Sequence, residues 1–343
     1  MNKDSLADWL PLLDRPRALA QLRAIVRLSG GVGNQLFQYS LACLLQKKSG
    51  RIMLDIQHFP KDKYLRNYEL EPINKQVRQW PLRLIRSNAS TYIPVWKPPA
   101  VADKPSQNPL LQPLIWGRNL LQLPKATEVI ERLTPNWPEV LIKRRDPSYL
   151  SGHWQDYRLV ERASVLHHKL RDLVRCFVLP PEFQAITQKN AVMVHVRRLW
   201  DCDQNQQVIR HQHPQIPLPI SYYQDAISQV KSMRPDAFFY LFGDDPKWSQ
   251  THLMPLVHQQ GIVITPSTAT IWRDLILMSL CQFHILSNST FSWWGAFMAS
   301  LRQPEDRPSD RIVAPTPWFN NPAVPVPEHF GVVVPESWLS IPC

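Results

Sequence analysis

The sequence predicts an α/β fold of two doubly wound halves with mostly parallel sheets. Two observations carry this. Ala24-Ile25-Val26-Arg27-Leu28 is a β-branched run that leads into Ser29-Gly30-Gly31-Val32-Gly33-Asn34-Gln35, then into a helical apolar face: strand, glycine turn, helix. From Ala191 to Ala314, short apolar runs alternate with helical patterns at the pitch of a parallel sheet. Leu179-Pro180-Pro181 reads as the linker between the halves.

The chain has 343 residues, enough for two ordinary domains, and 44% are hydrophobic, as in soluble proteins. Residues 1–22 read as an amphipathic helical extension. Asp4, Asp8 and Asp14 make this stretch wrong for a signal peptide. No apolar run approaches the ~20 residues that span a bilayer. The expected address is the cytoplasm. An N-terminal domain is expected over 23–185 and a C-terminal domain over 186–343. Cys43, Cys176, Cys202, Cys281 and Cys343 show no paired spacing, so neither a zinc site nor a disulfide framework is indicated. The formal charge is +11, but the basic residues are scattered among carboxylates. No nucleic-acid recognition motif accompanies them. A solvated basic surface is the favoured reading, with peripheral contact to an anionic membrane as an option.

Along the first half, three of the chain's 10 glycines fall in the turn at 30–33. Glycine lets backbone N–H groups approach a ligand, and a helix start favours negative charge. The turn is equally a plain tight turn with Asn34 as an ordinary cap, and it matches neither G-x-G-x-x-G nor a P-loop. Leu36, Phe37, Tyr39, Leu41, Leu44 and Leu45 form the apolar face of the following helix. Arg51 to Asp55 reads as a second strand whose last carboxylate faces a ligand crevice or caps a turn. Ten prolines between Pro94 and Pro147 exclude a long helix or central strand there. This insertion is expected to hold short helices and extended loops. Tyr149 to Asp156 mixes polar groups with an aromatic, which suits a sugar site or a packed domain seam.

In the second half, Ala191 to Val196 reads as a strand and Tyr222 to Met233 as a helix. Ala237 to Phe242 is a buried strand, and Gly261 to Ile264 another. Ile271 to Cys281 is a helix, Phe283 to Ser287 a strand, Thr290 to Leu301 a helix and Arg311 to Ala314 a strand. At the first of these strands, His195-Val196-Arg197-Arg198 puts His195 and Arg197 on one face and Arg198 on the other. Arginines at a strand's carboxyl end are costly to bury without anions, and a bidentate contact to a diphosphate is the natural use. Asp244-Asp245-Pro246 opens a helix. One aspartate suits capping and the other a base or ribose, though both also read as caps. Asn288-Ser289-Thr290 opens another helix with hydroxyls and N–H groups that suit phosphate. Asp201-Cys202-Asp203 has a metal-binding spacing, but no histidine or third carboxylate completes it.

Gly30 to Tyr39, His195 to Arg198, Ser221 to Tyr223, Phe242 to Asp245, Asp274 to Ser279, Asn288 to Gly295 and Ala314 to Phe319 together resemble the α-1,2-fucosyltransferase family. They occur in the family's order from Ile25 to Phe319. The resemblance implies a GT-B-like fold of two facing Rossmann-like domains. It implies GDP-fucose as donor, inversion, no metal or other cofactor, and a β-galactoside acceptor fucosylated on its 2-hydroxyl. The chain departs from the family after the arginines. Leu199-Trp200-Asp201 stands where Gly-Asp-Tyr is usual, so Asp201 either supplies the carboxylate after a one-residue shift or that position is lost.

On this reading Arg197 serves the diphosphate, assisted by His195 and by Asn288, Ser289 and Thr290. Gly31 and Gly33 let the donor approach. Asp244 or Asp245 holds the nucleoside. Asn34 and Gln35 position the acceptor, and Asp55 is the candidate base. The competing expectations are an α-1,6 or protein O-linked fucosyltransferase, or a non-catalytic basic glycan- or nucleic-acid-binding protein.

Overall fold

The computed structural model describes residues 24–49, 52–56, 59, 66–74, 95–96, 127–130, 141, 148–198, 213–267, 269–302, 311–324, 326 and 331–343. The expected N-terminal extension, most of the proline-rich insertion and Asp201-Cys202-Asp203 lie outside them.

Two parallel sheets form the frame. The first is five-stranded, in the order β3-β2-β1-β5-β4, and its strands are β1 (Ala24–Arg27), β2 (Ile52–Asp55), β3 (Val95–Trp96), β4 (Thr127–Ile130) and β5 (Ser148–Ser151). The second is six-stranded, in the order β11-β10-β9-β6-β7-β8. Its strands are β6 (Ala191–Val196), β7 (Phe238–Gly243), β8 (Gly261–Val263), β9 (Phe283–Ile285), β10 (Ile312–Thr316) and β11 (Leu339–Pro342). Each strand pairing in both sheets is parallel. This is the α/β, GT-B-like architecture expected from the sequence. Among the described residues the proline-rich insertion contributes the short outer strands β3 and β4, where missing donors are tolerated. β3 and β4, in a stretch expected to hold short helices and extended loops, and β5 and β11 were not expected from the sequence.

β6 is buried at every position, which explains its unbroken apolar run. The helices are α1 (Val32–Ser49), α2 (Tyr157–Arg162), α3 (Ser164–Arg175), α4 (Ile220–Met233), α5 (Ile271–Leu280) and α6 (Thr290–Ser300). Asp156 caps α2 by accepting from Arg158 N, Thr270 caps α5 through Trp272 N, and Ser289 caps α6 through Phe291 N. Asn34 is not a cap; it lies within the first turn of α1. α6 is apolar all round because it is buried on both sides: Trp293 and Trp294 are fully buried.

One hydrophobic cluster runs through both halves, from Val26, Leu36 and Phe37 to Trp293, Trp294 and Phe297. Phe37 meets Trp293 at 4.8 Å and Trp294 at 5.3 Å between ring centroids. A second cluster, built on α4 and the opposite face of the six-stranded sheet, includes Tyr222, Tyr223 and Phe239. The chain also crosses the seam after β10. Val332 accepts from Tyr157 N at 2.9 Å and Val333 O accepts from Trp293 Nε1 at 2.8 Å, before β11 rejoins the second sheet beside β10. No helix among the described residues is long and apolar enough to cross a membrane.

Candidate active site

The strand orders locate the ligand crevice. In the second sheet the chain runs outward from β6 to β7 and β8, then returns to β9 on the other side of β6. Such a reversal leaves a crevice at the carboxyl ends of the two central strands. Arg197 and Arg198 follow β6 there, and Ser287, Asn288 and Ser289 follow β9. The first sheet reverses between β1 and β5, whose ends are the glycine turn and Gly152-His153. The Gln38 side chain ties these two ends. Its Nε2 donates to Gly152 O at 2.8 Å and to Ser29 Oγ, and its Oε1 accepts from Ser29 N.

His195 is buried, with Nδ1 2.7 Å from Ser287 Oγ, so it links β6 to β9 across the crevice floor. The Tyr223 hydroxyl donates to its carbonyl. Burial, reinforced by the nearby Arg197 charge, lowers its pKa to about 3, so His195 is neutral near pH 7.

Arg197 Nη1 donates to Asp244 Oδ2 at 2.8 Å, and Asp244 Oδ1 accepts from Arg198 N at 2.8 Å. Asp244 therefore holds the Arg197 side chain and the Arg198 main chain. Asp245 Oδ1 accepts from Trp248 N at 3.0 Å and caps the helical turn Pro246–Trp248. Asp245 thus takes the capping role, and Asp244 engages the arginines. Arg198 turns away from Arg197 and lies over the Trp248 ring at 4.4 Å.

Asn288 is fully buried. Its Nδ2 donates to Ile216 O and to Asn320 Oδ1, and its own carbonyl accepts from Gln215 Nε2 at 2.7 Å. It anchors the 215–216 and 320 segments beside the crevice. Gln215 and Asn320, not singled out from sequence, complete this anchor. Their partners lie 73 and 32 residues away from them in the chain, so no local pattern marks them.

The glycine turn meets α6 directly. A Cβ on Gly33 would lie 2.6 Å from Thr290 Oγ1 and 2.7 Å from Thr290 C, and Gly33 O accepts from Trp294 Nε1 at 2.9 Å. The close neighbour of Gly33 is thus the other half of the protein. Gly30 takes a left-handed φ of 72°, and beside Gly31 the space is open. Asn34 Oδ1 accepts from Thr290 Oγ1 and from Gln155 Nε2, both at 3.1 Å. Gln35 is fully buried. Its Nε2 donates to Gly30 O and Asn67 O and its Oε1 accepts from Glu69 N, so its amide holds the 66–74 segment. Asp55 sits beside the root of the turn and accepts from the Tyr149 hydroxyl at 2.6 Å. The structure thus gathers Gly33, Asn34 and Thr290 at the seam, and His195, Arg197, Asp244 and Asn288–Thr290 around the second crevice. Among the described residues no group of three or more His, Cys, Asp or Glu is placed to hold a metal.

The chain resembles known proteins in sequence and in fold. The model of Glycosyl transferase family 11 matches residues 141–303. The Escherichia coli O-antigen biosynthesis glycosyltransferase WbnK is 25% identical over 336 residues, covering 92% of this chain and 99% of that protein. An Escherichia coli alpha-1,2-colitosyltransferase is 24% identical over 333 residues, covering 92% and 98%. Among solved structures, NodZ alpha-1,6-fucosyltransferase soaked with GDP-fucose aligns with a TM-score of 0.41 and 14% identity, over 81% of this chain and 92% of that one. The Escherichia coli heptosyltransferase WaaC with ADP aligns with a TM-score of 0.39 and 12% identity, over 94% and 93%. Neither structural likeness is close enough to transfer a site. The chain is a glycosyltransferase, and its residues 141–303 match the model of glycosyl transferase family 11.

Proposed function

We propose that the protein moves L-fucose from GDP-fucose to the 2-hydroxyl of a terminal β-galactoside, with inversion, forming an α-1,2 linkage. The observation that carries this reading is the convergence, at one crevice, of an oriented arginine, a neutral buried histidine and the start of α6. Arg197, held by Asp244, faces the donor diphosphate and stabilises the charge that grows on the leaving phosphate oxygen. The N–H groups of Ser289 and Thr290 add to it, and the open side of Gly31 admits the donor. Asn34 orients the acceptor hydroxyl, which attacks the anomeric carbon as the bond to GDP breaks. Asp55, fixed by Tyr149, takes the hydroxyl proton. No metal or cofactor takes part in the proposed step. The proposed setting is the cytoplasm, with the formal charge of +11 available to an anionic membrane face.

The named relative favours a second donor. Colitose is 3-deoxy-L-fucose, so a site of this kind distinguishes the two sugars only through groups near the 3-position. The deciding experiment offers GDP-fucose and GDP-colitose in parallel with a panel of β-galactosides and assigns the linkage by NMR. An α-1,2 fucoside supports the proposal. Transfer of colitose alone changes the donor, an α-1,6 or serine/threonine linkage changes the acceptor class, and no GDP release with any pair leaves a binding protein.

A further inference from the structure

We propose that Gln155 is a positioning residue for the transfer: with Thr290 it saturates Oδ1 of Asn34, so that Asn34 presents its amide nitrogen, as a donor, at the glycine turn. This rests on the functional reading above. Gln155 lies beyond β5, 121 residues from Asn34, and is 7% exposed. Its Nε2 reaches Asn34 Oδ1 from the first half, and Thr290 Oγ1 reaches the same oxygen from the second, each at 3.1 Å. A carbonyl oxygen has two acceptor sites, so both are used. The other end of the amide lies over the turn: a Cβ on Gly30 would fall 2.6 Å from Asn34 Nδ2. Next to it, the space beside Gly31 is open. A ligand oxygen in that space meets an N–H rather than a carbonyl.

The two orienting contacts are not equivalent. The Thr290 hydroxyl donates or accepts with equal ease and tolerates either orientation of the Asn34 amide. The Gln155 NH2 can only donate, so Gln155 sets the polarity. Gly331 packs against the Gln155 main chain, for a Cβ there would lie 2.4 Å from the backbone oxygen of Gln155. Gln155 Oε1 is buried with no hydrogen-bond partner among the described residues, so this side chain is kept at a cost that packing alone does not explain.

The test reverses the polarity. Gln155→Glu, assayed at a pH where it is ionised, can only accept, so it re-forms the contact by turning the Asn34 amide over. Gln155→Met removes the contact. For each variant, kcat, KM for GDP-fucose, calorimetric GDP affinity and melting temperature are measured. Losing one neutral hydrogen bond lowers kcat by about fivefold to tenfold in Gln155→Met. Gln155→Glu loses more kcat than Gln155→Met when the two are compared at equal folded fraction, and GDP affinity changes little in both. Thr290→Ser falls less than Thr290→Val. Wild-type kcat in Gln155→Glu, or losses that follow the melting temperature alone, would overturn the inference. The contact is also read without any sugar donor, from a thermal double-mutant cycle of Gln155→Met with Asn34→Ala. Additive shifts there overturn the inference, whereas an inert wild-type enzyme overturns the functional reading on which it rests.

Discussion

Replacing Arg197 separates its two tasks, because its partner is known. The Arg197–Asp244 pair is 2.8 Å long, and the two side chains are 21% and 19% exposed. Removing one partner of a fully buried pair costs roughly 3–5 kcal/mol. With a fifth of each side chain in solvent, screening reduces that to about 2–3 kcal/mol. For a unit of 343 residues that is a fall of about 3–4 °C in melting temperature. Arg197→Met is therefore expected to be less stable, and to lose transfer by ~10²–10³ if it stabilises the leaving diphosphate. Adding Asp244→Asn removes the stranded carboxylate and leaves an oxygen for Arg198 N. The double variant should recover most of the melting temperature and none of the transfer. Calorimetry for GDP affinity, thermal melts and steady-state kinetics on the wild type, both singles and the double form the assay. A double variant that regains transfer along with stability would show that Arg197 acts only as a structural ion-pair partner.

Three further outcomes are expected. His195 has a lowered pKa of about 3, against 6.5 when unfolded, so the unfolded chain binds its proton first. Its contribution to stability is complete above pH 6.5 and is lost as the pH falls towards 3. His195→Gln should accordingly show a shallower loss of melting temperature between pH 6.5 and 4 than the wild type. A parallel slope would place the acid-sensitive group elsewhere. Gly33→Ala forces the starts of α1 and α6 apart and should cost about 1–3 kcal/mol, whereas Gly31→Ala, with open space beside it, should melt like the wild type. Finally, transfer should survive EDTA. Loss on chelation with recovery on manganese would assign the metal to the Asp201-Cys202-Asp203 stretch.

What the sequence disclosed depends on how far each residue's partner lies along the chain. β6, β7 and β9 were legible because their apolar runs answer to burial on both faces. The opposed directions of Arg197 and Arg198 followed from strand alternation, and Asp244 and Trp248 receive them on either side. β5 was missed because Ser148-Tyr149-Leu150-Ser151 is short and mixed, and its place between β1 and β4 is a matter of tertiary pairing. α3 turns Leu166 and Leu170 inward at a helical spacing that the reading passed over. Gly33 shows a different limit. The sequence says that something approaches the backbone closely, and only the fold says that it is Thr290, 257 residues later. Gln35 and Asn288, read as ligand contacts, have amides engaged by backbone brought from elsewhere in the chain.

The core that joins the halves bears on how a substrate enters. Phe37, Trp293, Trp294 and Phe297 pack in one cluster, and the crossing segment at Val332 and Val333 pins the same seam. Swinging the halves apart about a hinge would expose two tryptophans and a phenylalanine, each worth roughly 1.5–3 kcal/mol when buried. Wide opening is thus as costly as partial unfolding, and the halves form one thermodynamic unit. A ligand then reaches the crevice along its flank, with the seam between the halves closed.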